Sequence, residues 1–347
     1  MADVGVLLVN LGTPDSTAPG EVKKYLIRFL SDHRVMDIPY LLRFFLVRAV
    51  IVPSRYRNCA KLYESVRMKE GLPLRVYGKR VAERLQESLG PSFRVVPAMR
   101  YRSPSIAEGL DRLRGVGRLI TVPLFPQYAS ATTGSVHEEV FRLLGKRMRI
   151  PSLVCIDEFS SHPAFIGAVV ASAEKYRPAS YDHVLFSYHG LPERQVRKAS
   201  GSSPCLRVPG CCERKGPENR GCYAAQCVRT TEAVCRALAL PPSSVSHAYQ
   251  SRLGRDPWLR PYTIDTVREL ARAGKRRVLV FAPSFTADCL ETLEEIGVQY
   301  AEVFRKAGGE LLQLVEGLND RAEWIDALKT IILEHLGGTK CFPGESR

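Results

Sequence analysis

The sequence predicts an α/β fold of two similar doubly wound (Rossmann-like) domains with parallel sheets, and three observations carry that reading. Short apolar runs alternate with amphipathic stretches along the whole chain, as strand–helix–strand crossovers require. The 347 residues are 45% hydrophobic and 25% charged, which excludes disorder and leaves enough apolar mass for two cores. Two pairs of strand ends also repeat. Val9-Asn10-Leu11-Gly12-Thr13-Pro14 echoes Ser187-Tyr188-His189-Gly190-Leu191-Pro192, and Val122-Pro123-Leu124-Phe125 echoes Ala282-Pro283-Ser284-Phe285.

In chain order, runs rich in Val, Leu and Ile place strands at 4–11, 93–96, 119–124 and 153–156, and apolar residues at helical spacing place helices at 21–30, 78–89, 106–114 and 135–144. After Pro163 the cycle restarts. Helices are expected at 164–176, 223–238, 264–273, 291–307 and 321–336, and strands at 183–188, 245–249, 278–281 and 311–315. The expected division is an N-terminal domain over 1–160, a C-terminal domain over 161–320, and a last helix and tail, 321–347, whose helix packs back on the first domain. Residues 38–52 read Ile-Pro-Tyr-Leu-Leu-Arg-Phe-Phe-Leu-Val-Arg-Ala-Val-Ile-Val, too short and too charged to span a bilayer. Such a stretch forms an apolar lip (38–55) that admits a greasy ligand or contacts a membrane surface, or else it is a buried core helix.

Lys and Arg outnumber Asp and Glu by 14, which favours anionic partners such as acidic lipid or a small carboxylated ligand. The basic residues are scattered, and no helix-turn-helix, zinc finger or RNP sequence is present, so nucleic acid is not an expected partner. The opening Met-Ala-Asp-Val-Gly lacks a basic n-region, and the apolar run behind it is short, so the expected location is the cytoplasm, with membrane association left open.

Candidate chemistry starts at His189. Val184, Leu185 and Phe186 form a strand that Gly190 and Pro192 break, which leaves His189 at the carboxyl end, where open parallel sheets bind ligands. An imidazole there accepts a proton near neutral pH or binds a metal; a turn histidine bonded to backbone has the same spacing. Farther on, a helix starting near Thr286 would put Asp288, Glu291 and Glu295 at i, i+3 and i+7 on one face. Across a cleft between the two halves, Leu11 would oppose His189.

Ser187 to Pro192 resembles the signature of ferrochelatases, the enzymes that insert ferrous iron into a porphyrin. Further stretches resemble the same family: Asn10, Gly12 and Pro14; Arg100-Tyr101 with Pro104; 125–135, from Phe125-Pro126-Gln127-Tyr128 to Thr133-Gly134-Ser135; 250–259, from Gln250-Ser251-Arg252-Leu253-Gly254 to Trp258-Leu259; and 282–295. The resemblance implies a chelatase-like fold and Fe²⁺ and porphyrin as substrates. It implies His189 as the essential base, Glu291 facing it as a ligand for substrate iron, and Asp288 and Glu295 as further acidic positions on the path of protons or iron. Leu11, Tyr101, Tyr128 and Trp258 then contact the macrocycle, and Arg28, Arg100 and Ser251 its carboxylate arms. Cys289 departs from the pattern, since many members carry a second histidine there. Apolar Leu11 favours protoporphyrin IX. A coproporphyrin ferrochelatase, another tetrapyrrole chelatase such as one for sirohydrochlorin or cobalt, and a non-catalytic porphyrin or haem carrier are the alternatives.

Half of the ten cysteines crowd one polar segment in the order Cys-x5-Cys-Cys-x9-Cys-x4-Cys, from Cys205 to Cys227. Thiolates at such density suit zinc or an iron–sulfur cluster, with free thiols as the third reading. The segment resembles an internal insertion of certain microbial ferrochelatases, and that resemblance implies a [2Fe-2S] cluster on Cys205, Cys211, Cys212 and Cys222, with Cys227 in reserve. The animal-type C-terminal cysteine set is represented by Cys341 alone.

Overall fold

The computed structural model describes residues 2–200, 205–214, 216–254 and 256–337; Cys341 lies outside them. Among the described residues, eight strands form two parallel four-stranded sheets. The first contains β1 (Val4–Gly12), β2 (Phe93–Tyr101), β3 (Arg118–Pro123) and β4 (Ser152–Cys155) in the order β2-β1-β3-β4. The second contains β5 (His183–His189), β6 (Val245–Gln250), β7 (Arg277–Phe281) and β8 (Leu311–Leu314) in the order β6-β5-β7-β8. The wiring is the same in both. Each sheet reverses direction beside its first strand, so the carboxyl ends of β1 and β5 are the switch points where a doubly wound sheet opens a crevice.

Burial explains why these runs became strands. Val6, Leu7, Leu8 and Val9 are all sealed from solvent, as the inner strand of a two-sided parallel sheet requires. Alternation sorts them by face. Leu7 and Val9 pack outward with Val96, Ile106 and Val136, whereas Val6 and Leu8 join the core that also holds Val184 and Phe186 of β5. One central core therefore lies between the sheets. It is filled by helices Pro73–Leu89, Pro163–Ala173, Tyr223–Ala237 and Ala322–Gly337.

Three local outcomes differ from expectation. β2 runs through Pro97 to Tyr101, well past the expected end at 96, because it is an edge strand where a missing N–H needs no partner. The 38–52 stretch is not a core helix. It forms helix Tyr40–Phe45 and π-helix Leu46–Ile51, and Tyr40, Leu41, Leu42, Phe45 and Val50 each stand more than half exposed. Val47, Val52 and the charged Arg43 are its buried residues, and Arg43 Nη1 donates to the carbonyls of Met36 (3.1 Å) and Ile38 (2.8 Å). The stretch 291–307 splits into a π-helix, Glu291–Tyr300, and an α-helical turn and a half, Ala301–Lys306.

The last helix packs on Pro73–Leu89 of the first half and on Pro163–Ala173, and Arg118 Nη1 donates to Leu336 O at 3.2 Å. Its anchor is Trp324, 1% exposed, with ring centroids 5.9 Å from Phe159 and 6.2 Å from Phe165. Trp324→Ala is expected to lower unfolding free energy by about 3–5 kcal/mol, read from urea denaturation of the two proteins. A midpoint shift corresponding to less than about 1 kcal/mol would show that this helix does not seal the core.

Candidate active site

The carboxyl ends of β1 and β5 open onto one cavity of about 510 Å³. Asn10, Leu11, Gly12 and Thr13 line it from the first half, together with Tyr25 and Phe29 of helix Pro19–Leu30 and with Ile51, Arg55, Cys59 and Tyr63 of the segment behind the exposed 38–52 ridge. From the second half come His189, Ser251, Trp258, Phe285, Glu291 and Glu295. Leu11 and His189 thus share one space, because the repeated strand–Gly–Pro turn places them at equivalent switch points.

His189 is fixed from several sides. Its ring Nδ1 lies 2.7 Å from Gly190 O. A carbonyl only accepts, so Nδ1 carries the proton and the neutral ring keeps its basic lone pair on Nε2. The His189 carbonyl accepts the Tyr223 hydroxyl at 2.7 Å and its N–H donates to Ser284 Oγ at 3.3 Å. Trp258 and Phe285 flank the imidazole, with centroids 6.4 and 6.2 Å away. Position 190 must be glycine, since a Cβ there would come within 2.8 Å of Gln250 O and 3.1 Å of Trp258.

The three acidic residues do not form one stripe. The helical segment starts at Leu290 and winds with i→i+5 bonds from Glu291, so Asp288 sits in the preceding loop. Buried Asp288 does not line the cavity; its carboxylate accepts from Asn319 Nδ2 (2.7 Å), Gly317 N (3.1 Å) and Thr292 Oγ1 (3.2 Å). Glu295 lines the cavity, but Ser251 N (2.9 Å), Ser251 Oγ (2.5 Å), Tyr300 OH (2.5 Å) and Gln250 Nε2 (3.3 Å) all donate to it. That grip holds Ser251 at φ 66°, a left-handed conformation, and commits its N–H and hydroxyl. Glu291 is different. Its negative charge reaches Tyr25 and Tyr63 on the facing half, whose phenols are pushed up by burial first and then by neighbouring charges that include this carboxylate. The Cys289 thiol is buried, and burial followed by the Glu291 carboxylate pushes it up.

Arg28, Arg100 and Tyr101 line a separate, open polar pocket of about 470 Å³, with Asp32, Glu139 and Arg142. Asp32 explains why. Burial alone would raise its carboxyl, yet hydrogen bonds from Ser135 Oγ (2.6 Å), Arg34 N (2.8 Å) and Tyr101 OH (2.8 Å), with the charge of Arg100 (2.8 Å), hold it below the ordinary range. Arg100 and Tyr101 are therefore spent on a buried carboxylate, and Phe29 packs edge-on against the Tyr101 ring at 5.3 Å. Tyr128 flanks the cavity without lining it, and its N–H donates to Gln226 Oε1 at 2.6 Å. The cations that do line the cavity among the described residues are Arg55 and Arg252. Arg252 stands inside the 250–259 stretch, where the resemblance points to Ser251 and Trp258 instead. Arg55, Tyr25, Tyr63 and Glu294 gave no sequence signal, since only tertiary packing brings them here.

In the cysteine segment, Cys205 and Cys222 Sγ lie 3.1 Å apart and Cys211 and Cys212 Sγ 3.9 Å apart. Cys222 precedes helix Tyr223–Ala237. The Cys205 sulfur at 3.1 Å, with Cys212 and the backbone N–H groups at the helix start acting in the same direction, holds the Cys222 thiol well below the ordinary range against the opposing effect of burial. Cys227, on the same helix, is sealed in the core that also holds Cys205 and Cys222. Among the described residues, no three His, Cys, Asp or Glu side chains gather as a single metal ion would need.

A profile of the ferrochelatase family matches residues 3–336. The ferrochelatase of Legionella pneumophila (strain Paris) is 40% identical over 332 residues, covering 96% of this chain and 99% of that protein. That of Bdellovibrio bacteriovorus is 42% identical over 335 residues, covering 96% and 99%. Among solved structures, the sirohydrochlorin chelatase SirB from Bacillus subtilis subspecies spizizenii in complex with cobalt superposes with a TM-score of 0.54 over 98% of this chain and 97% of that chain. At 10% identity that likeness is one of fold. With a profile spanning nearly the whole chain and relatives this similar over their full length, the chain belongs to the ferrochelatase family.

Proposed function

We propose that the cavity between the two sheets holds a porphyrin, with His189 as the base and Glu291 as the carboxylate facing it. The chain is an enzyme of haem synthesis, a lyase that inserts ferrous iron into a porphyrin. Insertion forms four iron–nitrogen bonds and releases two pyrrole protons. His189 Nε2, left as a lone pair by the Nδ1 bond to Gly190, takes a proton from the ring. Glu291, with Cys289 beside it in the lining, faces the same space and offers a carboxylate to the second proton or to the entering iron. Asp288 and Glu295, saturated by donors, hold the loop and the helix that carry Glu291. The observation that carries this reading is that His189 and Glu291 line one largely apolar cavity from separate strand ends.

Protoporphyrin IX is the porphyrin we favour. Arg55 and Arg252 supply cations for its two carboxylates, and the remaining lining is rich in Leu, Phe and Tyr, which suits vinyl and methyl edges better than further propionates. In an anaerobic insertion assay, His189→Ala is expected to cost at least about a hundredfold in kcat. A folded His189→Ala protein that inserts iron at the wild-type rate ends the mechanism, and faster turnover of coproporphyrin than of protoporphyrin ends the substrate choice.

We also assign a [2Fe-2S] cluster to Cys205, Cys211, Cys212 and Cys222. Two sulfur pairs match a centre with two thiolates on each iron, whereas zinc needs four ligands about one ion. When bound, the cluster cross-links a polar segment to the start of helix Tyr223–Ala237. Anaerobically purified protein is expected to contain iron and acid-labile sulfide in equal amounts, both lost in Cys222→Ser. Colourless protein without sulfide rules the cluster out, and stoichiometric zinc in its place supports the alternative.

The exposed ridge at Tyr40, Leu41 and Phe45 we place against a membrane surface, with Ile51 and Arg55 behind it opening to the cavity. No helix of the described residues is long and apolar enough to cross a bilayer. The protein is expected to co-sediment with phosphatidylglycerol vesicles, and Leu41→Ser with Phe45→Ser to release it. Equal sedimentation of wild type and the double variant refutes this contact.

A further inference from the structure

We infer that Gln250 is a positioning residue that locks His189 and Glu291 into one frame. This rests on the reading of those two as the reacting groups. Gln250 ends β6 directly beside His189 in the parallel register and is 2% exposed. Its backbone carbonyl accepts Gly190 N–H at 2.8 Å, and Gly190 O is the acceptor that orients the His189 ring. Its side-chain Oε1 accepts the Ser187 hydroxyl at 2.7 Å, two residues before His189 on the same strand. Its Nε2 donates to the Glu291 carbonyl at 2.9 Å and to Glu295 at 3.3 Å. One buried residue thus ties the turn that aims the imidazole to the first residue of the π-helix.

Only a primary amide of this length does so. The Ser187 side needs an acceptor and the Glu291 side needs donors, and a carboxylate there would face a carbonyl and Glu295 with nothing to donate. Gln250 does not line the cavity, so removal of its amide is expected to blur the geometry of the reacting groups while leaving porphyrin binding in place.

The test compares wild type, Gln250→Met, Gln250→Glu and His189→Ala in anaerobic iron insertion, with porphyrin KM, kcat and thermal midpoint for each. Gln250→Met keeps the volume, and Gln250→Glu keeps the shape and the acceptor for Ser187. Both are expected to lose about tenfold to a hundredfold in kcat, with porphyrin KM within about twofold of wild type. The inference is overturned if kcat in either folded variant stays near wild type, if KM rises in step with the loss, or if the loss only tracks a smaller folded fraction in both. An active His189→Ala would show that the site reading itself has failed; an inactive His189→Ala beside a fully active Gln250→Met would fault Gln250 alone.

Discussion

Burial of one apolar layer shared by both sheets is the constraint on which the site depends. Val6 and Leu8 of β1 and Val184 and Phe186 of β5 face the same core, and alternation along a strand then fixes every other side chain on the outer faces. With two strands held in that way, their carboxyl ends are not free to drift, and Leu11 and His189 must open on a common gap. A slip of one residue in either sheet would turn its core-facing set outward. Function is in this sense a by-product of a packing problem solved twice with the same wiring.

Within the gap, hydrogen bonding decides which acidic groups remain available. Asp288 and Glu295 have chemistry similar to that of Glu291, but each is met by several donors and serves as an anchor for a loop or a strained Ser251. Glu291 has the buried Cys289 thiol beside it, and its charge is felt by two buried tyrosines of the facing half. The same contrast separates Arg100 from Arg252. Arg100 neutralises buried Asp32, while Arg252 lines the cavity. Availability, not identity, distinguishes a reactive charge from a structural one.

The cysteine segment follows a different logic from the rest of the chain. Its apolar content is low, so it cannot order itself by burial, and the sulfurs of Cys205, Cys211 and Cys222 are nonetheless withdrawn from solvent beside a helix start. The cluster proposed for those sulfurs would supply the cross-link that the composition lacks.

The alternation of runs, the repeated Gly-Pro strand ends and the motif around His189 were legible without coordinates, because strand period, turn chemistry and sheet switch points are local properties. The sequence alone determined an α/β chain with two like sheets, a histidine at a ligand-binding strand end and an acidic stretch after Pro283. It did not reveal that Asp288 precedes the helix, since a helix with i→i+5 bonds has no distinct sequence period. Nor did it separate Arg28, Arg100 and Tyr101 from the cavity, because the deciding partner, Asp32, lies 68 residues from Arg100 in the chain. Contacts of that kind, together with Tyr25 and Tyr63 facing Glu291, exist only once the shared core has closed, so tertiary structure alone decided which of the legible residues meet.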